Sequence, residues 1–121
     1  MKKPDVTWKI FSMYILVLLF VLLCSSAKAQ MQLVVFNADW NSSNDVRDWA
    51  FNMEDIQTYV YIDINNQKDM QKKHGIAVIP TIIILKDEEE VARFQADLSF
   101  KMLATKEEVQ EEINNQLMSD F

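Results

Sequence analysis

Apolar residues in this chain fall into short blocks whose internal spacing changes from one block to the next. Gln32 to Phe36 (Gln-Leu-Val-Val-Phe) is nearly continuous and β-rich, which predicts a strand buried on both faces. After the polar turn Asn41 to Asn44, Val46, Trp49, Ala50 and Met53 recur at helical spacing, with Asn44 or Ser43 placed to cap that helix. Thr58 to Ile64 is dense in β-branched and aromatic residues and predicts a second strand. Gln67 to His74 reads as a short helix closed by Gly75, the only glycine, where a left-handed cap is wanted. Pro80 precedes a continuous apolar strand over Thr81 to Leu85. An acidic turn at Lys86 to Glu90 then leads into Val91 to Gln95 as the returning arm of a hairpin. Thr105 and Glu108 stand three apart as a capping box, and Val109, Ile113 and Leu117 stripe a terminal helix. Strand, helix, strand, helix, strand, strand, helix is the order of an α/β layer: a βαβ half joined to a hairpin half.

The first block has a different character. Lys2, Lys3 and Lys9 precede the apolar run Ile10 to Leu23, shorter than the about 20 residues that a bilayer span needs, and Ala27-Lys28-Ala29 supplies small residues before a cleavage point. Residues 1–29 are therefore expected to form a signal peptide, with cleavage before Gln30 and residues 30–121 as the single mature domain. An uncleaved membrane anchor is one alternative, and acylation at Cys24 is another, although the bulky Leu23 before that cysteine disfavours it. The expected destination is periplasmic or extracellular, with membrane contact only through the signal segment.

Cleavage leaves 92 residues with no cysteine, so an exported domain of this size must hold together by its core alone. The same segment carries 8 basic and 17 acidic side chains, a net charge of −9, which argues against nucleic acid as a partner because phosphate binding needs clustered Lys and Arg. The acidic clusters Asp87 to Glu90 and Glu107 to Glu112 lack calcium-loop spacing and read as a solvated turn and helix face. One histidine, His74, cannot make a metal constellation; placed before Gly75, it is expected to interact with a helix C-terminus. No metal or other cofactor is expected.

Val34-Val35-Phe36-x-Ala38-Asp39-Trp40 ahead of a helix, the strand Tyr61-Ile62-Asp63-Ile64-Asn65, and Gly75-Ile76-x-x-Ile79-Pro80-Thr81 together resemble the thioredoxin family. The resemblance covers nearly all of the mature chain. It implies a thioredoxin-like α/β fold, a central mixed β-sheet of about four strands flanked by helices and preceded by the N-terminal signal helix. Its loop before Thr81 looks like the one that carries a cis proline beside the family's active site. The dithiol does not carry over: Asn41 and Asn44 stand where the two cysteines would be, and Val35 stands where family members hold a buried carboxylate. The first helix is expected to be truncated. Glycines expected near Asp87 and near Gln95 or Ala96 are also absent, which alters the groove that the resemblance implies.

Thiolate chemistry needs a thiol, so no catalytic residue is expected. The resemblance points instead to a polypeptide-binding surface built from Trp40, Asn41, Ser42, Ser43, Ile79, Pro80 and Thr81, since recognition of an extended peptide by backbone groups needs no sulfur. Two other classes stand beside it: a relative of thiol oxidoreductases that works with cysteines supplied by a partner, and a structural subunit of an envelope complex. Ser42 and Ser43 at a helix start could hold an anion, but helix capping is their ordinary role. Asn41-Ser42-Ser43 is also a sequon for N-glycosylation. Trp49, on the apolar helical stripe, is expected in the core; Trp40 is expected at an exposed turn.

Overall fold

The computed structural model of the protein describes residues 13–15 and 29–119, so the expected signal segment lies almost wholly outside the described residues. Four strands, β1 (Met31–Asn37), β2 (Thr58–Asp63), β3 (Thr81–Lys86) and β4 (Glu89–Gln95), form one sheet in the order β2-β1-β3-β4. β1 runs parallel to β2 and antiparallel to β3, and β4 pairs antiparallel with β3. Between residues 29 and 119 three α-helices accompany them: α1 (Arg47–Ala50), α2 (Lys68–Lys73) and α3 (Lys106–Met118). This is a thioredoxin-like arrangement, a mixed four-stranded sheet flanked by helices. Among the described residues no helix is long and apolar enough to cross a membrane.

The continuous apolar character of β1 has a direct cause. Leu33 and Val35 enter one cluster with Ile82, Ile84, Val109 and Ile113, while Val34 and Phe36 enter a second with Ile62, Ile76 and Ile83. Successive residues of a strand point to opposite faces, so a strand covered on both sides must be apolar at every position. Each such side chain, fully buried, contributes about 1.5–3 kcal/mol. That contribution matters in a domain that can form no disulfide.

The termini of the later helices follow the sequence closely. Gly75 adopts φ of 59°, its N–H bonds the Lys72 carbonyl, and the Ile76 N–H bonds the Gln71 carbonyl. That pair of bonds is the Schellman closure of α2, and it needs a residue free to be left-handed. Thr105 caps α3 by accepting from the Glu108 N–H at 3.2 Å. The hairpin between β3 and β4 is tighter than its sequence suggests: Asp87 and Glu88 take φ of 50° and 70° without any glycine, the signature of a two-residue turn whose twist matches the strands. Asp87 is held there by the Gln30 backbone, accepting from its N–H through Oδ1 and donating to its carbonyl.

The first helix is truncated, as expected, but its start and its caps differ from expectation. Residues Asp39–Asn44 form a 3-10 segment, and α1 is only four residues long, so Met53 is buried but lies outside the helix. Neither Ser43 nor Asn44 caps it. The N-cap position is Val46, with no side-chain cap bond; just before it Asp45 accepts from the Arg47 N–H through Oδ1, while the Asn44 amide turns back toward Asn41. Periodicity located Val46, Ala50 and Met53 correctly, but the helix begins later than expected, so Asn44 stands two residues ahead of the N-cap position Val46. Trp49 packs against the core only in part, and the His74 ring lies 5.4 Å from Phe36.

Candidate functional site

Where β1 ends, three asparagine side chains meet. Asn37 is the last residue of β1 and is fully buried; Asn41, in the 3-10 segment, is 4% exposed. The Asn41 Nδ2 donates to Asn37 Oδ1 at 3.0 Å and to the Phe100 carbonyl at 3.3 Å, and Asn41 Oδ1 accepts from Asn44 Nδ2 at 2.9 Å. Asn37 Nδ2 in turn reaches the Asn41 carbonyl at 3.4 Å. A carboxamide offers two donor hydrogens and an acceptor oxygen, and at Asn41 all three roles are taken within the protein. The sequon at Asn41 is thus closed in the folded state, because a glycan on Nδ2 would displace the bonds to Asn37 and Phe100.

Two further segments lie at this end of the sheet. The Ile79–Pro80 peptide is cis, Thr81 Oγ1 donates to the Val78 carbonyl at 2.6 Å, and the Ala96 N–H bonds the Pro80 carbonyl at 3.0 Å. Directly after Ala96 the chain makes a compact loop closed by the Ala96 to Met102 bridge. Asp97 organises that loop by accepting from the Ser99 N–H, the Ser99 hydroxyl and the Lys101 N–H, all on Oδ1. Phe100 sits at its tip with φ of 66°, sends its carbonyl to Asn41, and sets its ring edge-on to Trp40 at 5.1 Å.

The seven expected binding residues divide by exposure. Asn41, Ile79, Pro80 and Thr81 are buried, whereas Trp40 is 59% exposed and Ser42 and Ser43 face solvent. Asn41 therefore acts by fixing the loop, not by presenting its amide. The segment from Asp97 to Phe100 was not singled out by the sequence. Its one signal there is a pair of large apolar residues, Leu98 and Phe100, among polar neighbours.

Asp45 and Arg47 flank the same end of the molecule. Burial acts to raise the Asp45 pKa, but hydrogen bonds from the Arg47 side chain and backbone outweigh it and leave the carboxyl below its usual value. The Arg47 guanidinium also lies 3.8 Å from the Tyr61 ring centre. Asp97 is likewise held below the usual carboxylate range, chiefly by the Ser99 hydroxyl and then by the Lys101 N–H. A depressed carboxyl pKa stabilises the fold fully above the unfolded value and loses that contribution as pH falls through the folded value. Acidification through that range is therefore expected to loosen the 97–101 loop and alter Trp40 fluorescence, and Asp97→Asn is expected to remove the pH dependence of that signal. Among the described residues no three His, Cys, Asp or Glu side chains cluster to hold a metal ion.

No family model matches the chain, and no curated protein matches it. Solved structures do. A mutant thioredoxin from Halobacterium salinarum NRC-1 aligns with a TM-score of 0.55 at 19% identity, over 73% of this chain and 75% of that one. Thioredoxin 1 from Thermosipho africanus TCF52B gives 0.54 at 23% identity, over 74% and 97%, and the thioredoxin NaTrxh from Nicotiana alata gives 0.54 at 23%, over 71% and 72%. At these identities the likeness establishes a shared fold.

Proposed function

We infer that this thioredoxin-fold chain is an exported, non-enzymatic protein that binds an extended polypeptide on the face around Trp40, Phe100 and the Ile79–Pro80 loop. One observation carries the reading. Between residues 29 and 119, the large apolar side chains left exposed are Trp40, Leu98, Phe100, Leu103 and Met118, and all but the last belong to the Trp40 turn or the 98–103 segment. Concentrated apolar exposure of this kind marks a binding surface more often than scattered residues do. Aromatic side chains suit the role, because they bury a large area at low entropic cost.

Backbone geometry supports the same face. Ile79 precedes the cis peptide to Pro80, and recognition of an extended peptide by the backbone of such a loop needs no sulfur. The absence of the dithiol fits binding without turnover, since a reductase, oxidase or isomerase of this type needs a thiolate at the site. In an insulin reduction assay the protein is expected to give only the buffer rate. Selection of extended peptides from a random library should yield binders whose affinity falls about tenfold with Trp40→Ala, the size of effect expected when an aromatic anchor is truncated. Binders indifferent to Trp40→Ala and Phe100→Ala would overturn the assignment of this face.

A further inference from the structure

We propose that the free edge of β2 is a self-association surface, and that two copies of this chain pair antiparallel along it to make one continuous eight-stranded sheet. β2 lies at the end of the sheet, paired on one side with β1, and among the described residues no strand pairs with its other side. An edge of this kind presents a row of backbone donors and acceptors, and proteins ordinarily guard such edges with charge, proline, bulges or short strands. The opposite edge is guarded: β4 carries Glu89, Glu90 and Arg93, and its register with β3 slips between Ile84 and Leu85. β2 has a single charge, Asp63, at its last position and 8% exposed. From Ile56 to Ile62 (Ile-Gln-Thr-Tyr-Val-Tyr-Ile) there is no charge, no proline and no glycine.

The sequence of β2 is complementary to itself. A two-fold axis at Val60 places the two Val60 residues opposite one another, Tyr59 of each copy opposite Tyr61 of the other, and Thr58 opposite Ile62, pairs of the type that stabilise antiparallel strands. The nearest charges do not collide. About that axis Asp63 faces Gln57 and Asp55 faces Asn65, so neither acid meets its own copy. The two tyrosines are already held in place before any partner arrives. The Tyr59 hydroxyl bonds the Met53 N–H and carbonyl, both at 2.9 Å, its ring packs on Phe51, and Tyr61 lies under Arg47. A preorganised edge loses little freedom on pairing. Because the interface is short, it belongs with the small, weak class below about 1,200 Å². The net acidity of each copy opposes association at long range, and salt screens that opposition while leaving the uncharged contact intact.

Sedimentation equilibrium on the protein recovered from expression of the full chain tests this. A reversible monomer–dimer equilibrium is expected, tighter at high than at low salt. Val60→Lys sets two cations against each other across the axis and should weaken the dimer about tenfold or more; Thr58→Lys, at an exposed position, should weaken it without touching the core. In a Cys24→Ser background, Val60→Cys should oxidise to a disulfide-linked dimer, since directly opposed strand residues lie within bridging distance. Val91→Cys on β4 should not. A chain that is monomeric under all of these conditions, a dimer indifferent to both lysine substitutions, or equal cross-linking from β2 and β4 would each overturn the proposal.

Discussion

Asn41→Leu is expected to destabilise the protein by about 2–3 kcal/mol, because it strands buried polar groups that the carboxamide now satisfies. Leucine keeps the branching and heavy-atom count of asparagine but none of its hydrogen-bonding groups, so lost hydrogen bonds dominate the change. Asn37 Oδ1 would lose its donor in a fully buried position, and the Phe100 carbonyl would lose its tie to the body of the domain. Chemical denaturation of the wild-type and variant chains measures the change. The double variant Asn37→Leu with Asn41→Leu should recover much of the loss, since replacing both partners by apolar groups avoids the unpaired amide. Additive losses in that cycle would mean that the two carboxamides are not coupled.

Placing sulfur at the same positions is expected to convert a redox-silent site into one that cycles. Asn41 sits at a kink in the 3-10 segment, with φ of −108° and ψ of 24°, and Asn44 follows three residues on with its amide already touching that of Asn41 at 2.9 Å. Asn41→Cys with Asn44→Cys should therefore oxidise within one chain without unfolding the domain. Closing so short a loop stabilises the oxidised form by about 2 kcal/mol relative to the reduced one, a difference that denaturation with and without reductant reads directly. Thiol reactivity should be modest, because Val35 supplies no buried carboxylate, and Val35→Asp should change the rate. If the pair resists intramolecular oxidation, then the correspondence between residues 41–44 and a dithiol site is wrong.

Much of the fold is legible in the sequence because its strands are buried on both sides. Leu33 to Phe36 and Thr81 to Ile84 could hardly be anything else, and Gly75, Thr105 and Glu108 mark helix ends through local chemistry that tertiary context leaves unchanged. The Asn44 region is less legible. Asparagine serves equally as a cap or as a member of a side-chain network, and only the approach of Asn37 and the Phe100 carbonyl decides between them. The 97–101 loop lies almost sixty residues from Asn41 in the chain, and no periodicity or motif announces such a contact. The resemblance gave no account of the loop that covers Asn41, so the surface it implied is larger than the one exposed.

The peptide-binding face is tested most directly by following backbone amide resonances while a library-selected extended peptide is titrated into the labelled protein. The first and largest shifts are expected at Trp40, Asn41, Ile79, Thr81 and Phe100, the residues of the proposed face and of the loop clasped to it. Shifts confined to Glu107–Glu112 on α3, with Trp40 and Ile79 unmoved, would contradict binding at this face.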